Sequence, residues 1–222
     1  MIEGDAETGR KAQAPRIDLQ GRIDGLKEAF LAAKELSLTD LSARIRMVGF
    51  RCQECGECCR GEDNSVVVFP EEIRRIQKST GLDWLAVAGP PEEGEWDREG
   101  CFHTLEWRLL KDKESCRFYQ DGRCSIYPSR PMLCRTYPFY LDEGRLMHSE
   151  CRGLGGNIGA VKADELAGQL LKRYLIEIQE AIHLLERYRD FERGETRVSG
   201  GCIVHDSEGE HRIAHEDMYR MR

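Results

Sequence analysis

The feature that most constrains this chain is a group of four cysteines within eight residues, in the segment 50–60 (FRCQECGECCR). Two Cys-x-x-Cys spacings share Cys55, and such a loop lets two thiolates converge on one metal while backbone amides point at the sulfurs. Gly56 suits the tight turn of this loop because glycine tolerates positive φ. Adjacent side chains leave the backbone in different directions. Cys58 and Cys59 therefore either serve two centres, or only one of them is a ligand.

Composition narrows the class of protein. The chain has 222 residues and a net charge of −7 with basic residues spread throughout, which argues against a nucleic-acid-binding surface. It has no apolar run of about 18 residues and no signal-peptide pattern, so we expect a cytosolic protein without a membrane partner. In that compartment its ten cysteines are expected to be metal ligands or redox groups rather than disulfides.

The pattern of the chain predicts an α+β fold in which a small, irregular, metal-organised cysteine domain with short strands is flanked by an N-terminal helix and a long C-terminal helix. The predicted divisions are a flexible arm (1–16), an N-terminal helical segment (17–47), the cysteine-cluster domain (48–160), the long helix (161–193) and a tail with a hairpin (194–222). The long helix is expected either to buttress the cysteine domain or to form a dimer.

Periodicity and turn residues place the individual elements. We expect helices over 17–36, 40–47 with Thr39 as N-cap, 70–79 with Gly81 as the stop, a helical turn within 82–88, a short helix starting near Arg130 with Ser129 as N-cap and bearing Cys134, and a helix over 162–193 ending at Gly194. We expect strands over 66–69 and 101–110, which can pair, a hairpin over 116–124 turning at Asp121-Gly122, and a hairpin over 201–205 and 210–213.

With Cys101 and Cys202 set aside, eight cysteines remain at positions 52, 55, 58, 59, 116, 124, 134 and 151. Sets of four thiolates suit zinc or iron–sulfur clusters. Nearby arginines, among them Arg60, Arg130 and Arg135, can donate to the sulfurs and partly offset their charge. Tyr137 belongs to an aromatic shell that, with the vicinal cysteines, favours iron–sulfur over zinc.

A separate minor metal site is conceivable in the tail, where Cys202 and His205 form a Cys-x-x-His spacing. If the tail hairpin forms, these two side chains point to opposite faces of the strand, which counts against shared ligation.

Several of these pieces together resemble the CxxCxxCC cysteine-cluster family (YkgJ-like proteins), whose members are described as zinc- or iron-chelating domains. The pieces are Phe50 to Arg60, the pair Cys116 and Cys124, the segment Ile126 to Phe139 with Arg130-Pro131 and Cys134-Arg135, and Cys151-x-Gly153-x-Gly155. The resemblance covers about residues 48–160 and implies metal chelation by the eight cysteines. A related cysteine cluster occurs in flagellin lysine N-methylases.

Three functions are compatible with these residues. The first is an iron–sulfur protein, with one or two [4Fe–4S] clusters, that transfers electrons or assists maturation of an unidentified partner enzyme. The second is a structural zinc module whose outer helices bind a protein partner. The third is an enzyme that modifies protein side chains, although no catalytic residues stand out in the sequence.

Overall fold

The structure is a computed structural model that describes residues 18–61, 64–188, 191–194 and 200–220. The predicted flexible arm, residues 1–16, lies outside the described residues. The helices are α1 (Leu19–Lys34), α2 (Leu38–Val48), α3 (Pro70–Thr80), α4 (Trp84–Val87), α5 (Met132–Thr136), α6 (Ala160–Arg187) and α7 (His215–Arg220). The strands are β1 (Val67–Val68), β2 (Ala88–Gly89), β3 (Glu95–Trp96), β4 (Phe102–Leu105), β5 (Trp107–Leu109), β6 (Lys111–Asp112), β7 (Ser115–Cys116), β8 (Tyr119–Gln120), β9 (Arg123–Cys124), β10 (Phe139–Asp142), β11 (Arg145–His148), β12 (Cys202–Asp206) and β13 (Gly209–Ile213). Helices and short strands in small sheets confirm the α+β prediction.

The two N-terminal helices pack on α6 through apolar residues at helical spacing. In α1, the buried Ile23 joins Ile178 and Ile182 of α6 in one apolar cluster. In α2, the fully buried Ile45 lies in a second cluster with residues of the N-terminal half of α6, and burial of one such side chain contributes about 1.5–3 kcal/mol. Helix α6 therefore packs against both N-terminal helices.

Two predicted helix ends were wrong. The N-cap of α2 is Ser37 rather than Thr39, because the Ser37 hydroxyl accepts a 3.2 Å hydrogen bond from the Asp40 amide. Helix α6 ends at Arg187 instead of continuing to Arg193. Beyond this end, Tyr188 stacks on Phe191 at 4.6 Å between ring centroids, and both rings pack against a buried histidine of β4.

The tail hairpin forms as predicted and is part of a larger sheet. Strands β12 and β13 are antiparallel, and β12 also pairs in parallel with β4, in the sheet order β13-β12-β4-β3. The predicted strand over 101–110 is divided into β4 and β5 at Glu106, whose φ is 65°. Strand β5 pairs with β1, as expected, and also with β2.

The first and largest apolar cluster lies between these sheets and helix α3. Its fully buried members include Trp107, Val68, Ile73 and Val204. Helix α3 begins at Pro70 and stops before Gly81, the predicted stop, whose φ of 74° allows the left-handed C-cap. Three of the cysteines, at positions 116, 124 and 134, pack against this cluster. The same core that joins α3 to the sheets therefore supports one side of the cysteine-rich region.

Candidate metal centre

The eight predicted ligands line a single cavity of about 300 Å³. They come from four separate parts of the chain: the loop 52–59, the hairpins of β6 to β9, helix α5, and the glycine-rich turn after β11. All eight are free thiols. Within residues 18–61, 64–188, 191–194 and 200–220, no three His, Cys, Asp or Glu side chains already stand close enough together to hold one metal ion. The thiols are thus spread around the wall of a cavity instead of being gathered about one point.

The cysteine loop is shaped by Gly56. Its φ of 71° places it in the left-handed region, and it caps a short 3-10 helix formed by Glu57–Cys59. A Cβ atom at this position would overlap the Tyr119 ring. Both the turn and the close approach require glycine here, so the turn predicted at Gly56 is confirmed.

The start of the loop lies beside the glycine-rich turn that carries Cys151. Phe50 and Leu154 form an isolated antiparallel bridge, and the Arg51 amide donates a 2.9 Å hydrogen bond to the Gly153 carbonyl. A Cβ atom on Gly153 would lie 2.5 Å from the Arg51 carbonyl oxygen. The glycines therefore let two backbone segments approach closely, and this brings Cys52 and Cys151 to the same side of the cavity.

The end of the loop lies beside the hairpins. Arg60 and Ser115 form a second isolated antiparallel bridge, which puts Cys59 next to Cys116. The predicted turn at Asp121-Gly122 is present, with positive φ at both residues. Cys124 pairs with Tyr119 in this hairpin, while Cys116 belongs to the preceding hairpin and pairs with Lys111; both thiols still line the same cavity.

Helix α5 presents Cys134 to the cavity. Its N-terminus is held by the buried Glu72 of α3, which accepts a 2.7 Å hydrogen bond from the Met132 amide. The predicted Ser129 cap was wrong: the Ser129 hydroxyl bonds to Ser79 and to the Ile126 carbonyl instead. From the other side, Arg173 of α6 donates a 2.9 Å hydrogen bond to the Thr136 hydroxyl.

Adjacent thiols and burial set the protonation of the cysteines. The Cys58 and Cys59 thiols share a hydrogen bond, which lowers the pKa of Cys58 to about 7 and raises the pKa of Cys59. Burial raises the pKa of Cys134 to about 12. Metal binding at these thiols therefore requires release of protons.

The charges that each thiol feels differ around the cavity. Burial has the largest effect on the pKa of Cys151 and raises it. The hydrogen bond from the Gly153 amide lowers this pKa, and the thiolates of the loop cysteines 55, 58 and 52 raise it further. The pKa of Cys59 is raised by its bond to Cys58, by burial, and then by the charges of residues 58, 116 and 134. Cys58 thus acts on both thiols, while the other cysteines that act on them differ.

The arginines and the tyrosine predicted around the cysteines lie beside the cavity. Arg60 donates to the carbonyls of Cys55 and Gly56, and Arg135 donates to the carbonyls of Arg130 and Pro128 at 2.7 and 2.6 Å. These two side chains brace the backbone that carries the thiols.

Arg130 and Tyr137 act differently. The Arg130 guanidinium lies 3.9 Å from the centre of the Tyr127 ring. Its positive charge lowers the pKa of Cys134, but burial has the larger effect and raises the pKa of that thiol. The Tyr137 hydroxyl donates a 2.7 Å hydrogen bond to the Glu150 carbonyl, which ties α5 to the segment before Cys151.

Cys202 and His205 of the predicted minor site lie in different surroundings. Cys202 is fully buried in the first apolar cluster, and burial raises the pKa of its thiol to about 12. The His205 ring is 2.8 Å from the His103 ring, Nε2 to Nδ1, and His103 in turn lies 2.8 Å from the Asp97 carboxylate. This chain of Asp97, His103 and His205 joins β4 to β12, and no local pattern in the sequence indicates it.

Glu57 and Glu72 also hold segments of the site together, although the sequence did not predict this role for either residue. Glu57 forms a 2.6 Å ion pair with Arg152 and accepts a 3.8 Å hydrogen bond from the Cys55 thiol. Glu72 is recognisable in the sequence only as a favourable first-turn acid of a helix. Their long-range partners have no local signal.

Thiols from four segments around one cavity define a cysteine-cluster domain. Residues 51–152 match the model of the CxxCxxCC family, described as "Putative zinc- or iron-chelating domain". The resemblance stated from the sequence is thereby confirmed. The search of curated proteins and the search of solved structures gave no match. In the part of the chain that the structure describes, no helix combines the length and the apolar character needed to cross a membrane.

Proposed function

We propose that the cysteine-lined cavity binds iron–sulfur clusters, one or two of the [4Fe–4S] type, and that the protein transfers electrons to a partner enzyme or assists its maturation. The observation that carries the proposal is that eight thiols from four segments of the chain line one cavity of about 300 Å³. Zinc holds sulfur at about 2.3 Å, which needs a tighter group than any three His, Cys, Asp or Glu side chains make among the described residues. A cluster of several iron and sulfide atoms spans more space between its thiolates.

The wall of the cavity suits such a group. Between the cysteines it is formed by apolar and aromatic side chains, among them Val66, Leu109, Ile126 and Tyr119. When bound, a cluster supplies a site that gains or loses one electron, and the apolar wall and hydrogen bonds to sulfur tune its potential. The Gly153 amide, which lies 3.4 Å from the Cys151 sulfur, is one such donor.

The loop side of the cavity is accessible. Cys52 and Cys58 are exposed, whereas the other six ligands are partly buried. A partner that exchanges electrons or clusters must approach the centre closely, and the loop 52–59 is the face that allows this. The chemistry of the partner face would thus be set by loop residues rather than by the outer helices.

The second candidate is a zinc-organised interaction module. Backbone amides that follow the cysteines donate to the sulfurs at Cys116, Cys124 and Cys151, an arrangement that suits any thiolate-bound metal. The family description names zinc beside iron. In this case the cavity would close around zinc, and the outer helices would supply the binding surface.

Anaerobic purification followed by iron, zinc and acid-labile sulfide analysis tests the proposal. We expect near-equal iron and sulfide and a broad absorption band near about 400 nm, typical of thiolate-ligated clusters. Cys134→Ser should lose iron, while the matched variant Cys101→Ser, outside the cavity, should retain it. A colourless protein that contains zinc and no sulfide would overturn the proposal in favour of the zinc module.

A further inference from the structure

We propose that the eight cysteines form two sets of four, each holding its own metal centre, and that the adjacent Cys58 and Cys59 belong to different sets. The Cys52 set contains Cys52, Cys55, Cys58 and Cys151. The Cys116 set contains Cys59, Cys116, Cys124 and Cys134. The inference rests on the proposed metal-binding function and adds to it the assignment of each ligand.

The Cys52 set is joined by the contact between the start of the loop and the glycine-rich turn. Beyond the bridge of Phe50 and Leu154, the Gln53 side chain donates a 3.0 Å hydrogen bond to the Arg152 carbonyl. This places residues 52 and 53 alongside residues 151 and 152. The Glu57 carboxylate then links Arg152 to the Cys55 thiol. Cys55 is therefore on the same side of the cavity as Cys151.

The Cys116 set is joined by the hairpins and the first apolar cluster. Next to the bridge of Arg60 and Ser115, the Gly61 amide donates a 2.8 Å hydrogen bond to the Glu114 carbonyl, so the segment after Cys59 runs antiparallel to the segment before Cys116. The other three members of this set all pack against the first apolar cluster. The core thus gathers one set on its own side of the cavity.

The 3-10 helix separates the vicinal pair. Successive side chains of a 3-10 helix are about 120° apart, so the Cys58 and Cys59 thiols of the helix Glu57–Cys59 leave in different directions. Cys59 is adjacent to the residue that bridges to the hairpins, whereas Glu57 is tied to the turn of Cys151.

Because the Cys58 and Cys59 thiols still share a hydrogen bond, the two centres would be neighbours joined through one peptide unit. The peptide bond between Cys58 and Cys59 would then be the shortest covalent link between the two centres. The exposed thiols belong to the Cys52 set, so that set faces solvent and the Cys116 set lies toward the core. The outer centre would meet the partner, and the inner one would be shielded from it.

The test compares the metal content of anaerobically purified full-length variants with that of the unmodified protein. Cys52→Ser/Cys151→Ser and Cys116→Ser/Cys134→Ser each remove two ligands of one set and should each retain about half of the metal, since four thiolates complete one centre. In the Cys52→Ser/Cys151→Ser background, adding Cys58→Ser should leave the remaining metal in place, whereas adding Cys59→Ser should remove it. Cys101→Ser is the matched control and should retain all of the metal.

Loss of all metal from either double variant would overturn the two-set assignment in favour of a single shared centre. Loss of the remaining metal on Cys58→Ser but not on Cys59→Ser would overturn the division of the vicinal pair. An unmodified protein that carries neither iron nor zinc would instead refute metal binding by the cavity, on which the assignment rests.

A second measurement avoids variants that fold poorly. The unmodified protein is partly stripped with a chelator and alkylated, and the molecules that keep half of their metal are separated by native mass spectrometry. Besides the partly exposed Cys101, label should appear on the four cysteines of one set together. Label distributed over both sets in the half-loaded molecules would contradict the assignment.

Discussion

The Glu72 carboxylate accepts a 2.7 Å hydrogen bond from the Met132 amide, 60 residues further along the chain. The same carboxylate accepts a 3.2 Å hydrogen bond from the Phe69 amide at the start of its own helix. It is 3% exposed. One buried side chain thus satisfies the N-termini of both α3 and α5, and α5 carries Cys134. The position of that thiol depends on a residue outside the cysteine motifs.

Replacement of Glu72 tests this dependence. Glu72→Ala leaves two partly buried amides without their acceptor, which typically costs about 1–3 kcal/mol in the free energy of unfolding. It should also lower the metal content of the Cys116 set. Glu71→Ala is the control because Glu71 is exposed on the same first turn of α3. Urea unfolding and metal analysis of both variants provide the measurement. Equal effects of the two substitutions would show that α5 is held by other contacts.

Two neighbouring tryptophans differ in their hydrogen bonding. The Trp107 indole donates a 2.7 Å hydrogen bond to the buried Asp206 carboxylate, whereas the buried Trp84 indole nitrogen has no partner among the described residues. The two rings pack edge to face at 5.3 Å between centroids. We expect Trp107→Phe to lower the free energy of unfolding by about 1–3 kcal/mol more than Trp84→Phe, because only the first change breaks a buried bond. Similar losses in urea unfolding would contradict this.

Buried histidines make the stability of the sheet depend on pH. Asp97 accepts from the His103 Nε2–H group, so His103 Nδ1 accepts from His205 in the neutral pair. This leaves the buried His205 Nδ1 atom without a hydrogen-bond partner in the described part of the chain. Burial, and then the charge of His103, lower the pKa of His205. Glu210 and Asp206 oppose this shift, Arg187 favours it, and the Tyr188 ring packs on the His205 ring.

The sign of the effect follows from proton uptake. The unfolded chain binds a proton at His205 near the ordinary pKa of about 6.5, while the folded protein resists protonation until a lower pH. Stability should therefore fall as the pH decreases from about 7 to about 5. Urea unfolding of the metal-free protein measures this slope, which His205→Gln should reduce and His148→Gln, at an exposed site on β11, should leave unchanged. A flat profile in the unmodified protein would refute the prediction.

The sequence patterns predicted the structural features that depend on residues close together in the chain. The spacing of apolar residues located α1, α2, α3 and α6, and the cysteine spacing identified the eight residues that line the cavity. Contacts between distant segments could not be predicted in this way. The parallel pairing of β12 with β4 joins residues about 100 positions apart, and alternation of side chains gives a strand its faces but not its partner.

Contacts between distant segments also determine where helices end and how the cysteines are arranged, so these features could not be predicted from local patterns either. Helix α6 stops at Arg187, and beyond it Tyr188 and Phe191 pack on His103 of the sheet, a contact that helical periodicity does not predict. Within the site, the vicinal pair Cys58-Cys59 indicated two alternatives. The bridges to Leu154 and to Ser115, which no local pattern predicts, relate the two ends of the loop to the two sides of the cavity.

Gly153 tests whether the contact between the loop and the glycine-rich turn holds the Cys52 set. Its position leaves no space for a side chain, because a Cβ atom would lie 2.5 Å from the Arg51 carbonyl oxygen, which is backbone and cannot rotate away. Gly153→Ala should force the two segments apart at a cost of about 1–3 kcal/mol in the free energy of unfolding. It should also remove the metal of the Cys52 set and retain that of the Cys116 set.

Gly168 in α6 provides the control, since a Cβ atom there meets no atom within 4 Å. Gly168→Ala should raise the free energy of unfolding by about 0.5–1 kcal/mol, as alanine is the better helix former, and leave the metal content unchanged. The measurements are urea unfolding and metal analysis of both variants. Full metal content in Gly153→Ala would mean that the close approach of residues 51 and 153 does not hold the Cys52 set. Loss of all metal would mean that the two sets are not independent, because only the Cys52 set borders this contact.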